Sequence, residues 1–237
     1  MRWVRRGPTA VKSMYEQWEV DHLQQLFKHF KVDCVFDVGA NVGQYATMLR
    51  EKVGYKGLVV SFEPDPSVAA ELTKKAQRQP RWVVEELAIS AEDGTAEFNV
   101  MKENTFSSLS APRHDEVDLF TELNKVSKTV TVKTENLATT VDRLRGQFGF
   151  SRPFLKLDTQ GYDTQIVSAA PEAVKTFVGL QSELAIKKLY ADSVDFREAI
   201  TIYEKCGFEL SALVPNNAGH FPRLVEVDCI MVRADLL

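Results

Sequence analysis

The sequence is poor in cysteine and lacks any long apolar run. Its three cysteines, Cys34, Cys206 and Cys229, are scattered along 237 residues. This excludes a disulfide framework and predicts buried thiols in a reducing compartment. No stretch approaches the roughly 18 apolar residues of a membrane span, and no signal-peptide-like run follows the basic N-terminus. We therefore expect a cytoplasmic protein that has no membrane partner.

An excess of positive charge is also missing. The chain has 29 Lys and Arg residues against 33 Asp and Glu residues, so its formal net charge is −4. Proteins that bind nucleic acid usually carry a basic face, so no nucleic-acid partner is expected. The apolar fraction of 44% is ordinary for a globular protein, and 237 residues fit one large domain with a sizeable core.

The most informative stretch is residues 35–45, Val-Phe-Asp-Val-Gly-Ala-Asn-Val-Gly-Gln-Tyr. The β-branched and aromatic residues at its start predict a buried strand, and apolar residues at helical spacing from Tyr45 onward predict a helix. Gly39 and Gly43 allow a sharp turn and the close approach of a ligand. A strand, a glycine turn and a helix start together predict a site for a polar ligand.

The glycine spacing argues against a dinucleotide as that ligand. The dinucleotide fingerprint has glycines at positions one, three and six. Counting from Gly39, position three is Asn41 and position six is Gln44. A nicotinamide-dependent oxidoreductase is therefore a disfavoured alternative. The pattern Asp-x-Gly-x-Asn-x-Gly resembles instead the first motif of class I S-adenosylmethionine (SAM) methyltransferases, and an ordinary tight turn is the other interpretation.

Carboxylates follow or end four of the predicted strands. Glu63 follows the predicted strand 58–62, at the place where nucleotide-binding α/β units use an acid to accept hydrogen bonds from ribose hydroxyls. Asp37, Asp158 and Glu183 occupy similar places at the ends of other predicted strands, Glu183 after the strand 178–182. Because ligands gather at the carboxyl ends of parallel strands, we expect these four acids to line one site. A solvated turn would explain any one of them alone.

The order of elements predicts an α/β, Rossmann-like fold. We expect a seven-stranded, mostly parallel sheet that has one antiparallel edge strand and helices on both faces. Residues 1–32 are predicted to form a loose leader and a helix over 16–30 that packs on or over the site, and residues 33–237 the main domain. A strand over 82–89 and a hairpin strand over 95–101 that pairs back on it are expected, within an insertion at about 95–134.

Four motifs together resemble the FkbM family of SAM-dependent methyltransferases. They are Asp-Val-Gly-Ala-Asn-x-Gly at 37–43, Phe-Glu-Pro-Asp at 62–65, Ser-Ser-Leu at 107–109 and Leu-Lys-Leu-Asp-x-x-Gly at 155–161. The resemblance covers about residues 33–233. It implies a class I methyltransferase fold and methyl transfer from SAM to a hydroxyl oxygen of a sugar or secondary metabolite. The family form of the last motif is Lys-Ile-Asp-x-Glu-Gly, so Gln160 stands in place of a glutamate.

The resemblance also implies where SAM would lie. The turn from Gly39 to Gly43 would contact its methionine part, Glu63 its ribose, and the segment around Leu87 its adenine. The predicted cofactor-binding residues are Asp37, Gly39, Asn41, Gly43, Tyr45, Glu63, Pro64, Leu87, Ala88 and Ser107.

The acceptor side of the site is predicted around Asp158. Lys156 lies two residues earlier on the same face of the strand, and a nearby ammonium favours an ionised carboxylate. Lys156, Asp158 and His220 are the catalytic candidates, although His220 could be an ordinary surface histidine. Asp158 and Glu183 are candidate ligands of a Mg²⁺ ion.

A second class of function stays open at this point. The chain could be a non-catalytic domain that binds SAM or a partner protein, for which the altered position of Gln160 is a mild argument. The sequence does not specify the small-molecule or glycan acceptor, nor the oligomeric state.

Overall fold

The structure is a computed structural model that describes residues 8–115, 120–215 and 223–237, with side chains from residue 16 onward. The main sheet contains β1 (Cys34–Val38), β2 (Leu58–Phe62), β3 (Trp82–Glu85), β7 (Pro153–Leu157), β8 (Gly179–Ala185), β9 (Phe208–Val214) and β10 (Glu226–Arg233). A smaller sheet contains β4 (Ala88–Ser90), β5 (Gly94–Met101) and β6 (Val126–Asn136). The helices are α1 (Pro8–Phe30), α2 (Gln44–Met48), α3 (Pro66–Ala76), α4 (Leu137–Phe148), α5 (Asp163–Ala169), α6 (Pro171–Val174) and α7 (Phe196–Lys205), and a π-helical turn (Leu49–Val53) continues α2.

The main sheet confirms the predicted seven-stranded, mostly parallel architecture. Its order is β3-β2-β1-β7-β8-β10-β9, and the first five strands pair in parallel. β10 runs antiparallel to both β8 and β9, so the predicted antiparallel pair closes one edge. The reversed strand itself lies second from that edge. The connection between β9 and β10 spans residues 215–225, which suits antiparallel neighbours because a parallel crossover usually needs about a dozen residues or more.

The central strands are buried on both faces. Every residue of β1, β2 and β7 is buried, as expected for parallel strands that helices cover on both sides. One core cluster joins the sheet to α4, α5, α6 and α7, and a second joins its other face to α1, α2 and α3. The chain leaves β1 for β2 on one side and returns to β7 on the other. Such a reversal of strand order opens a crevice at the carboxyl ends of the strands.

The small sheet corrects two predictions about the middle of the chain. The segment predicted as one strand over 82–89 is divided, with β3 in the main sheet and β4 in the small one. The predicted pairing of 95–101 with the preceding strand is wrong, because β5 pairs antiparallel with β6 and β6 pairs in parallel with β4. Alternation of apolar and polar residues predicts that a segment is a strand, but it does not predict which strand lies beside it.

The N-terminal helix is confirmed and begins at Pro8, earlier than the predicted residue 16. Its apolar residues Leu23, Phe27 and Phe30 are buried in the core on the α1 face of the sheet. No helix within the described residues is long and apolar enough to cross a membrane. The cysteines are buried and free, as predicted.

Candidate functional site

A cavity of about 610 Å³ lies at the carboxyl ends of β1, β2 and β7. Cavities of this size are typical of small-molecule and cofactor sites. Its lining includes residues of α1, the turn after β1, the start of the segment after β2, the segment 104–109 and the turn after β7. From α1 the lining residues are Glu16, Glu19 and Val20, so this helix both packs on the sheet and covers the site.

The predicted cofactor residues mostly converge on this cavity. Nine of the ten line it: Asp37, Gly39, Asn41, Tyr45, Glu63, Pro64, Leu87, Ala88 and Ser107. The tenth, Gly43, lies outside the lining. A Cβ there would come within 2.7–2.9 Å of the side chains of Leu72 and Trp82, so packing against α3 and β3 requires this glycine.

A side chain at residue 39 would clash with the turn after β7. Gly39 has a φ of +77°, and a Cβ at this position would overlap the backbone carbonyl oxygen of Asp158. The turn after β1 and the turn after β7 can therefore lie against each other only because residue 39 is glycine. Sequence reasoning attributed this glycine to the approach of a ligand, whereas the structure adds a backbone contact that organises the site.

Glu63 is held firmly at the end of β2. Its Oε2 accepts a hydrogen bond from the backbone N–H of Asn41 at 2.8 Å, and its Oε1 accepts one from that of Asp65 at 2.9 Å. The residue is 6% exposed. Burial raises the pKa of Glu63 to about 7, while the two N–H donors act in the opposite direction. Since each carboxylate oxygen can accept two hydrogen bonds, both keep one acceptor position for a ligand.

Asp37 lies near the end of β1 and is supported from β2. Its Oδ2 accepts a hydrogen bond from the hydroxyl of Ser61 at 2.8 Å, and Trp82 Nε1 donates to that hydroxyl oxygen at 3.0 Å. Burial raises the pKa of Asp37 to about 6, although the Ser61 hydrogen bond lowers it. Asp37 therefore places a carboxyl group of fixed orientation in the lining of the cavity.

A row of polar residues crosses the buried strands beneath the cavity. Ser61, Asp37, Lys156 and Gln181 are register partners across β2, β1, β7 and β8. Sequence reasoning found Asp37 and Lys156 but missed Ser61 and Gln181. The signal was present, because Ser61 is the one polar residue of an otherwise apolar strand and Gln181 begins a run of three polar residues in β8. In parallel strands, partners in register point to the same face, so these residues form one polar row.

Gln181 connects this row to the N-terminal helix. Its Nε2 donates to Glu19 at 2.8 Å and to Asp228 at 3.0 Å, and its Oε1 accepts from the hydroxyl of Tyr45 at 3.0 Å. Burial raises the pKa of Asp228 to about 7. A buried amide thus fixes α1 above the carboxyl ends of the strands.

Lys156 and Asp158 are brought together as predicted. Lys156 Nζ lies 3.1 Å from Asp158 Oδ2, and the Lys156 side chain is buried. Burial alone would lower the pKa of Lys156, but the surrounding carboxylates, Asp158 foremost, outweigh it and raise that pKa. The lysine is therefore a permanent positive charge at the base of the cavity.

The structure corrects the position of Glu183. It was expected to close a strand, but it is the fifth residue of β8, with Asp228 of β10 as its register partner. It still lines the cavity near Asp158. The amide of Gln160 lies between these two acids: its Nε2 donates to Asp158 Oδ1 at 2.9 Å and to Glu183 Oε2 at 3.1 Å.

The predicted magnesium ligands do not form a metal centre with other side chains. Within the described parts of the chain, no group of three or more His, Cys, Asp or Glu residues is arranged to hold a metal ion. Gln160 presents an N–H donor, not a ligand atom, to both Asp158 and Glu183. The other catalytic candidate, His220, lies outside the described residues.

The Ser-Ser-Leu segment contributes more than its predicted contact. Ser107 lines the cavity, and its Oγ accepts a hydrogen bond from the backbone N–H of Met101. Ser108, which sequence reasoning did not single out, donates from its hydroxyl toward the backbone carbonyls of Thr159 and Gln160, at 2.9 and 2.8 Å. This serine joins the insertion to the turn after β7.

Comparison with known families identifies the arrangement. A family profile described as the methyltransferase FkbM domain matches residues 37–210, which is more than half of the chain. The chain belongs to the FkbM methyltransferase family. It therefore has the family and the fold of SAM-dependent methyltransferases. A search of curated proteins gave no significant match.

Two solved structures share the fold at low sequence identity. An FkbM methyltransferase from Methylobacillus flagellatus KT is 14% identical with a TM-score of 0.51, and the match covers 84% of this chain and 43% of that one. A putative methyltransferase from Thermobifida fusca YX is 11% identical with a TM-score of 0.50, covering 94% and 82%. The magnesium protoporphyrin IX methyltransferase of Synechocystis PCC 6803 with bound SAM is 13% identical with a TM-score of 0.48, covering 98% and 86%.

Proposed function

We propose that the protein transfers a methyl group from SAM to a hydroxyl oxygen of a small-molecule or glycan acceptor, such as a sugar or a secondary metabolite. The observation that carries this proposal is the division of one cavity into two chemical halves. Glu63, whose two oxygens accept backbone N–H groups, follows β2, and the ion pair of Lys156 and Asp158 lies at the end of β7, on the other side of β1.

The residues of the first half fit SAM. Glu63 can accept hydrogen bonds from two ribose hydroxyls, because a carboxylate has two oxygens and only accepts. Leu87 and Ala88 offer an apolar surface to the adenine. The carboxyl group of Asp37 suits the ammonium of the methionine part. When bound, SAM supplies a methyl group on a positively charged sulfur.

The second half can orient an acceptor and take up its proton. Asp158 presents a carboxylate to the cavity, and Lys156 holds its Oδ2 in place. We assign Asp158 the role of accepting the hydrogen bond, and then the proton, of the acceptor hydroxyl while the methyl group is transferred. Holding the acceptor oxygen in line with the transferable methyl group supplies the rest of the catalysis through orientation.

Magnesium is left out of this proposal. Asp158 and Glu183 were candidate ligands, but the amide nitrogen of Gln160 already donates to one oxygen of each. A Mg²⁺ ion prefers oxygen ligands in octahedral geometry, and the amide nitrogen of Gln160 is not such a ligand. We therefore expect the reaction rate to be the same with added Mg²⁺ and with a chelator.

The first test is calorimetric titration of the purified protein with S-adenosylhomocysteine (SAH), with NADH titrated in parallel. Micromolar binding of SAH and no binding of NADH are expected. A panel of sugar and metabolite hydroxyls would then be tested with methyl-labelled SAM. A folded protein that does not bind SAH would overturn the proposal. Binding without transfer to any hydroxyl acceptor would favour the non-catalytic alternative.

A further inference from the structure

Gln160 occupies an unusual place in the acceptor half of the cavity. It lies in the turn after β7 with a φ of +54°, in the left-handed region that few residues other than glycine adopt. Its amide nitrogen donates hydrogen bonds to two different carboxylates, those of Asp158 in the same turn and Glu183 in β8. The side chain is thus a neutral bridge between two acids.

The oxygen end of the Gln160 amide contacts the hydroxyl of Tyr190. The hydroxyl of Tyr190 lies 2.8 Å from Gln160 Oε1 and 2.9 Å from the backbone carbonyl oxygen of Phe106, so its single hydrogen is shared between these two acceptors. Tyr190 is 2% exposed. With the amide in this orientation, its NH₂ group faces Asp158 and Glu183, whose carboxylates accept hydrogen bonds when ionised. The backbone carbonyl of Gln160 is held separately by the hydroxyl of Ser108. Both the side chain and the main chain of Gln160 are therefore fixed by buried neighbours.

The charges around Gln160 explain what such a bridge does. Glu226 and Asp228 of β10 line the cavity together with Asp158 and Glu183. Burial and the other three acids raise the pKa of Glu183 well above its usual value, whereas Lys156 of β7 acts in the opposite direction. Lys156 forms an ion pair with Oδ2 of Asp158. Gln160 donates a hydrogen bond to the other oxygen of Asp158 and one to Glu183. Hydrogen bonds to ionised acceptors are about twice as strong as neutral ones, so the bridge offsets repulsion between the two acids.

We propose that Gln160 is a positioning residue, which holds Asp158 and Glu183 together through its amide in the place that a divalent cation would otherwise fill. This inference rests on the proposed function, since it concerns how the acceptor carboxylate is oriented. It goes further by assigning a role to Gln160, Tyr190 and Ser108. It makes the acceptor half of this chain a metal-independent arrangement.

The test exchanges the amide for an isosteric carboxylate and uses Mn²⁺ as the probe. In Gln160→Glu three carboxylates meet, so the melting temperature at pH 8 should fall by about 3–6 °C. Added Mn²⁺ should restore most of this loss and bind at one ion per chain by electron paramagnetic resonance. The double variant Asp158→Asn with Gln160→Glu should lose that response. The wild type should show neither binding nor a change in melting temperature.

A matched control is Gln165→Glu, five residues further along the chain. Gln165 Nε2 lies near the backbone carbonyl of Asp192, away from the carboxylate pair, so this variant should show no response to Mn²⁺. Gln160→Leu, which removes the amide without adding charge, should also lower the melting temperature, and Mn²⁺ should not restore it.

Two results would overturn the inference. One is a stoichiometric Mn²⁺ ion on the wild type that Asp158→Asn removes, which is measurable even if the Gln160 variants fail to fold. The other is a Gln160→Glu protein of unchanged stability that binds no Mn²⁺. Titration of the wild type with SAH, which uses none of these variants, reports on the proposed function separately.

Discussion

Replacing Glu63 by glutamine tests the cofactor half of the site with the smallest change of shape. The substitution keeps one acceptor oxygen and turns the other into an NH₂ donor. In the wild type the backbone N–H groups of Asn41 and Asp65 lie 2.8 and 2.9 Å from the Glu63 oxygens. In the variant, the NH₂ group faces one of these N–H donors. It can also no longer accept from a ribose hydroxyl. A hydrogen bond to a charged group contributes about 1.5–3 kcal/mol, and 1.4 kcal/mol is tenfold in affinity. We expect SAH to bind about 10- to 100-fold more weakly.

The assay is calorimetric titration with SAH at pH 8, where the carboxylate of Glu63 is ionised. Glu85→Gln is the matched control, since Glu85 ends the adjacent strand β3 as the register partner of Phe62. Its side chain pairs with Arg143, and it is not part of the cavity lining, so SAH affinity should stay the same. A Glu63→Gln protein that binds SAH within twofold of the wild type would refute the assignment of Glu63 to the ribose.

Other expectations follow from the same geometry. Gly39→Ala should lower the free energy of unfolding by more than about 3 kcal/mol, measured in urea, and abolish SAH binding. Gly54→Ala is the control, since Gly54 has a similar φ of +74° and no atom lies within 4 Å of the added Cβ. It should lower the free energy of unfolding by only about 1–2 kcal/mol. Equal costs would contradict the backbone contact of Gly39. The pKa values of Glu63, Asp37 and Asp228 are raised to about 7, 6 and 7. Between about pH 4 and 7 the folded state therefore binds more protons than the unfolded state, and the stability of the ligand-free protein should fall as the pH rises through this range. SAH affinity should change in the opposite direction, weakening below pH 7 as Glu63 is protonated, and a pH-independent affinity would argue against the ribose contact.

Much of the fold could be predicted because its signals are local. The apolar runs of β1, β2 and β7 mark strands that are buried on both faces, and the following carboxylates mark the edge of the sheet where ligands bind. Asp37, Glu63 and Asp158 were placed correctly from this pattern alone. The connection between β9 and β10 was short enough to favour antiparallel neighbours. Each of these inferences needs only the order of residue types within a few positions.

The partners of these residues were decided only by the tertiary structure. The pairing of β5 with β6, the contact of Gly39 with the turn after β7, and the bridge from Gln160 to Glu183 join segments far apart in the sequence. Glu183 shows why: in its own strand it is the third of three consecutive polar residues, and its role depends on which amide reaches it from the turn after β7. A departure from the family motif at Gln160 was visible in the sequence, but its meaning depended on Tyr190 and Ser108. The sequence by itself determined which side chains could do chemistry at the sheet edge, whereas packing between distant segments decided which of them meet.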